Sequence, residues 1–202
     1  MRLRAPTSIA MLLLLTLSGG LRSAPLDNLE SIALYEDEGG ALPAFSLPDT
    51  RGGRFDNTRL TGKWSLLYFG YTQCPDICPT ALSTVATAVR SVEKAVRTDR
   101  LQVVFVTIDP QRDDMVTMKR YVRYFHPSFL GARADLDSVR PLTRALGIQH
   151  YITQSLDGSL YNVAHSGDIA VIDPDGKHIG MIQSPMDSKA IAHDLTQLLQ
   201  TR

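Results

Sequence analysis

The segment Trp64 to Tyr71, WSLLYFGY, constrains this chain more than any other. A continuous apolar and aromatic run of this kind reads as a central strand buried on both faces. Such a strand needs a neighbour on each side and a covering layer above and below. Cys74 and Cys78 follow directly. From Pro79 to Val96, the residues Leu82, Val85, Val89, Val92 and Val96 recur at three- and four-residue steps, which predicts a helix. Pro79 suits its first turn. Leu101 to Ile108, LQVVFVTI, then reads as a second buried strand.

The rest of the chain fits around these elements. Phe45–Leu47 and Arg54–Asp56, joined by a Pro48-to-Gly53 turn, predict a hairpin. Asp113 or Asp114 caps a helix that carries Met118, Tyr121, Val122 and Phe125 and ends at His126-Pro127. Asp137 to Leu146 reads as a helix stopped by Gly147. Residues 148–163 are less regular, with Asp157-Gly158 marking a hairpin turn. Ile169–Ile172, the turn Asp173-Pro174-Asp175-Gly176 and His178–Ile182 form an antiparallel pair, and Asp187 caps a last amphipathic helix. Parallel strands with crossover helices, then an antiparallel hairpin, describe an α/β fold: a mixed central β-sheet flanked by helices, thioredoxin-like in its order. A small flavodoxin-like fold is the competing architecture.

Residues 1–24 read as a signal peptide or short N-terminal anchor. Arg2 and Arg4 precede the apolar run Ile9–Leu17, and Ser18-Gly19-Gly20 follows. That run is shorter than the roughly 20 residues that span a bilayer. No cysteine lies near it, which excludes lipid attachment there, and the two arginines are not adjacent, so a twin-arginine signal is unsupported. Residues 25–41, acidic and ending in Gly39-Gly40, read as a linker or partly ordered arm before a domain over 42–202. Twenty-one basic residues balance 21 acidic ones, so no excess of cations is available to neutralise phosphates, and nucleic acid is not an expected partner.

The only two cysteines lie four residues apart. A disulfide over so short a loop removes little chain entropy, so the pair reads as chemical rather than architectural. It sits where a buried strand meets a helix start, a usual place for sites in open α/β sheets. Unpaired amides at a helix start also favour a thiolate. If the segment curls as a helical turn, the four-residue step puts both sulfurs on one face. Two thiolates are too few for a closed structural zinc site. Cu(I) accepts low coordination by soft ligands, so two sulfurs and one imidazole suffice.

Of five histidines, His165 is the best-placed third ligand, because it directly precedes strand 169–172. In a thioredoxin-like fold that loop passes beside the cysteine loop. His126 reads as a capping or surface residue, His150 as partly buried, His178 as an edge-strand residue and His193 as a helix residue. Met181 and Met186 read as packing. Asp109 and Asp113 have two readings: a turn former and a helix cap, or supports of the site.

Three segments together resemble the Sco/SenC family of copper chaperones. They are Gly70-Tyr71-Thr72 with Cys74-Pro75-Asp76-Ile77-Cys78-Pro79-Thr80, then Val106 to Asp113 (VTIDPQRD), then His165-Ser166 with the Ile172-Asp173-Pro174-Asp175-Gly176 turn. The resemblance covers about residues 42–200. It implies a thioredoxin-like fold and copper, as Cu(I) with Cu(II) as an alternative, held by Cys74, Cys78 and His165. It also implies a periplasmic or other extracytoplasmic location and a role in maturing the dinuclear copper centre of cytochrome c oxidase subunit II. The implied partners are that subunit and a copper donor of unknown identity, with membrane association through the N-terminus or the partner. Some family members act as thiol reductants, which would make Cys74 and Cys78 a redox-active pair. The chain departs from the family at Ala164, where an acidic residue is common, and at Gln73, where a basic residue or His is common. Neither change removes a ligand.

Other functions compete. Thiol–disulfide exchange needs only the cysteine pair, but no proline stands in Ala164-His165-Ser166-Gly167, where thioredoxin-like oxidoreductases carry one. A peroxiredoxin-like peroxidase would need a threonine three residues before its cysteine, where Tyr71 stands. A copper or oxidant sensor is compatible with the pair as a secondary role.

Overall fold

The structure is a computed structural model that describes residues 26, 28–36, 39–154 and 161–201. The expected export segment 1–24 and the Asp157-Gly158 turn lie outside these residues.

In chain order the strands and helices begin with β1 (Ile32–Leu34), β2 (Gly40–Ala41), β3 (Ser46–Pro48), β4 (Arg54–Asp56), β5 (Trp64–Gly70) and α1 (Ile77–Val92). Next come β6 (Leu101–Thr107), α2 (Met115–Phe125), β7 (Leu130–Ala132), α3 (Leu136–Ala145), β8 (His150–Gln154) and β9 (Tyr161–His165). The chain finishes with β10 (Ile169–Ile172), β11 (Lys177–Ile182) and α4 (Ser188–Gln200). The main sheet has the order β1-β11-β10-β5-β6-β7, with β2 beside β1 on β11. β5, β6 and β7 run parallel, while β10, β11, β1 and β2 pair antiparallel. This mixed sheet is the thioredoxin-like arrangement and excludes the parallel flavodoxin-like alternative.

Every residue of β5 is buried, as its unbroken apolar run requires of a strand with β10 on one side and β6 on the other. Helix α1 starts two residues earlier than the valine spacing predicts and ends before Val96, which closes a turn onto Val92. Its buried face, including Leu82, Val85, Val89 and Val92, joins the core, and α1 packs against α4.

Three expectations change. The stretch 25–41 is not simply a linker: Ile32–Leu34 and Gly40–Ala41 join the main sheet through β11. The cause lies in α4, where the buried carboxylate of Asp194 accepts from the amides of Glu30, Ser31 and Ile32 and from the Ser31 hydroxyl, at 2.7–2.9 Å. Burial opposes the charge, yet these donors hold the Asp194 pKa below the usual carboxylate range. Consequently β11 is covered on its outer side, and His178 is 5% exposed instead of standing on an edge. Finally, β7 is a strand too short for any periodicity to show. It docks beside β6, and the β3–β4 hairpin closes its far side through Thr50 N–H to Gly131 O and Arg133 N–H to Pro48 O, both 2.9 Å.

Candidate metal centre

Cys74 sits within the loop between β5 and α1, Cys78 is the second residue of α1, and His165 is the last residue of β9. Expected in a loop, His165 instead lies in a two-stranded antiparallel ribbon in which its backbone sits opposite His150. The Sγ atoms of Cys74 and Cys78 and a ring nitrogen of His165 all lie within 4.8 Å of one another. Cys78 Sγ is 3.2 Å from His165 Nε2, and the Cys78 amide donates to Cys74 Sγ at 3.4 Å. Both cysteines are free thiols, Cys78 fully buried and Cys74 8% exposed.

Each half of this cluster has identifiable causes. Cys78 can approach β5 only because Gly70 has no side chain. A Cβ there would lie 2.7 Å from Cys78 Sγ and 2.9 Å from the Phe105 ring. Alternation along the strand puts Tyr68 on the same face as Gly70. Among the described residues the Tyr68 hydroxyl has no hydrogen-bond partner at normal geometry, but it lies close enough to favour the Cys78 thiolate. Burial is the stronger influence and pushes the Cys78 thiol well above its ordinary range. The cysteine loop is tied down from behind by Asp113, which accepts from the Thr72 amide and hydroxyl and from the Thr107 hydroxyl, the two hydroxyl bonds at 2.6 Å. Burial raises the Asp113 pKa despite these donors.

On the other side, His165 Nδ1 lies 2.8 Å from the Ser166 carbonyl oxygen. A carbonyl only accepts, so Nδ1 carries the proton and the Nε2 lone pair faces the sulfurs. Burial, with help from His150, lowers the His165 pKa against the opposing pull of that carbonyl, so the ring is neutral near pH 7. The rings of Tyr71 and Tyr68 meet the imidazole edge-on at 5.9 and 6.2 Å. Arg112 stacks over Tyr71 at 5.5 Å and is paired with buried Asp109. Asp109 and Asp113 therefore both support the site. The α2 cap is Asp114, which accepts from Thr117 N–H.

Two sulfurs and one deprotonated ring nitrogen with its tautomer fixed make a donor set for a soft, low-coordinate ion. The other histidines take no part among the described residues. His126 is the buried C-cap of α2, His193 contacts Asp194 and Glu30, and His150 is half-buried at the start of β8 in the ribbon. Tyr68 was not singled out from the sequence, and Gly70, Tyr71 and Arg112 stood there only as members of the family-like motifs, with no role in the site. Strand alternation through Gly70 could have flagged Tyr68, whereas the Arg112–Tyr71 stack depends on tertiary geometry.

The profile of the SCO1/SenC family matches residues 36–200. A protein of Stutzerimonas stutzeri, provisionally described as copper-binding, is 34% identical over 178 residues, covering 88% of this chain and 85% of its own length. The mitochondrial SCO2 homolog of Mus musculus is 38% identical over 132 residues, 65% of this chain, and the match spans only 52% of that protein. Among solved structures, Arabidopsis thaliana ScoI with copper bound superposes with a TM-score of 0.71 at 29% identity, covering 81% of this chain and 99% of its own.

Proposed function

This chain belongs to the SCO1/SenC family, and from that premise we propose that it binds one copper ion through Cys74, Cys78 and His165 and hands it on for maturation of the dinuclear copper centre of cytochrome c oxidase subunit II. Copper is the cargo here. The observation that carries the reading is the convergence of two thiols and one Nε2 lone pair within 4.8 Å. The copper-binding description of the S. stutzeri relative and the copper-bound ScoI of A. thaliana support the choice of ion.

The ligands are arranged for transfer. Three donors leave Cu(I) open to an incoming thiolate of the acceptor, so exchange runs through shared-ligand intermediates. Cys74, nearer the surface than Cys78, is the ligand an acceptor displaces first. The export-like residues 1–24 support a location in the periplasm or another extracytoplasmic compartment, where a copper donor would load it. No helix of the described residues is long and apolar enough to cross a membrane.

The test is a Cu(I) competition titration of the fully reduced protein, repeated with His165→Ala. Tight one-to-one binding that weakens about 100-fold or more in the variant supports the three-ligand site, since loss of a ligand should cost at least as much as loss of its outer support. Weak binding, or binding indifferent to His165, overturns it. The second reading is reduction of the subunit's own cysteines by Cys74 and Cys78. It is favoured by one observation: the two thiols are free and side by side, so the more exposed Cys74 can attack a disulfide and Cys78 can resolve the mixed disulfide.

A further inference from the structure

His178 and Met181, which the sequence places on opposite faces of one strand, meet in the structure. His178 Nε2 lies 3.3 Å from Met181 Sδ and 3.3 Å from the Tyr35 hydroxyl. The Tyr35 ring stands edge-on to the imidazole, centroids 4.9 Å apart. The imidazole is buried, Met181 half-buried and Tyr35 exposed, so the tyrosine is the solvent-facing member of the three.

The chemistry of the contact points to a cation. Burial lowers the His178 pKa and keeps the ring neutral, against a weaker opposing pull from the Gly180 backbone. A neutral imidazole has one proton, and with it on Nδ1 the Nε2 lone pair faces the thioether and the phenol. A thioether has no proton to give, and the Nε2–Sδ contact sets two electron-pair donors against each other. A shared soft ion would turn that contact into two bonds. Thioether and imidazole together select Cu(I) or Ag(I) over the harder divalent ions. With bonds of about 2.0 Å to nitrogen and about 2.3 Å to sulfur, as for related ions, a 3.3 Å separation gives an angle of about 100° at the metal. That suits a three- or four-coordinate ion with both ligands where they stand.

We propose that His178 and Met181 form a second, weaker Cu(I) site covered by Tyr35. It lies on β11, two strands from β5, or about 10 Å across the sheet. An ion there is therefore separate from Cys74 and Cys78. Lacking thiolate charge, this pair fills only after the cysteine site.

The experiment uses the full chain carrying Cys74→Ser and Cys78→Ser, titrated with Ag(I) as a redox-inert probe and followed by NMR of methionine methyl and histidine ring signals. The Met181 and His178 signals should shift together to saturation at one equivalent. Adding His178→Ala or Met181→Leu should weaken binding about tenfold or more. Silver binding that leaves both signals unmoved, or affinity unchanged in both added variants, overturns the site. If either added variant fails to fold, the shifts in the parent protein still decide. The result is independent of the copper role proposed for Cys74 and Cys78, because the doubly substituted variant lacks both thiols.

Discussion

Cys78 and His165 face each other across 3.2 Å, yet different structures hold them. The cysteine side is part of the main body. Cys78 is fully buried on α1 against β5, and Asp113 ties the loop between them to the end of β6. The histidine side ends the β8–β9 ribbon, a two-stranded sheet of its own. Such a ribbon is marginal by itself. Its position rests on buried Val163, on Ile148 before it, and on the tyrosine rings around His165. The contrast describes a stiff dithiol seat against which a separately anchored imidazole closes. Affinity should then be adjustable from the histidine side with little effect on the fold, whereas damage on the cysteine side should cost both.

The largest expected break is Asp113→Ala. It strands the Thr72 and Thr107 donors in the interior and should cost about 3 kcal/mol in urea unfolding, with loss of Cu(I) affinity. A loss below about 1 kcal/mol would show that the loop is held by something else. Asp113 also carries a pH signature. Its folded pKa is raised, so its contribution is fully present below the unfolded value of about 3.9 and is lost as pH rises through the folded pKa. Asp113→Asn, neutral throughout, should gain on the wild type over that rise. A constant difference from pH 3 to 7 would contradict the shift.

Gly70→Ala should come next, at about 2 kcal/mol, because the new methyl collides with Cys78 Sγ and the Phe105 ring. Copper binding should weaken in step. Val163→Ala tests the other side. A loss of about 1–2 kcal/mol is expected, confined to the ribbon in hydrogen exchange, with Cu(I) affinity falling while protection of β5 and α1 stays constant. Equal loss of protection in β5 would erase the contrast. Ser166→Ala should be the smallest, within about 0.5 kcal/mol. Its buried hydroxyl has no partner among the described residues, and the carbonyl that orients His165 belongs to the backbone. A large drop in copper affinity would show that the hydroxyl matters after all.

The cysteine side was legible in the sequence because its signals are local: an unbroken apolar strand, two cysteines at a helical step, valines at helical spacing. His165 was legible only through its distance from the strand that follows it, and the ribbon that carries it was not, since residues 148–163 lack a clean alternation. β1 and β2 were hidden because an acidic arm shows no apolar pattern. Their docking depends on Asp194, more than 150 residues away. The His178–Met181 contact was hidden for a different reason. Positions three apart on a strand point to opposite faces, and the register shift opposite Val171 and Ile172 that disturbs β11 leaves no mark in the residues themselves.

The two ends of the main sheet carry a last consequence. Both terminal strands are only three residues long, and the backbone beyond β7 is already taken by Thr50 and Arg133. Among the described residues, the main sheet therefore offers another chain almost no open ladder on which to add a strand. That protects the main sheet from edge-to-edge aggregation, and it denies a partner the commonest backbone handle there. For the proposed transfer, recognition would then rest on side chains and loops around the rim where Cys74 lies, a contact an acceptor can make briefly and release.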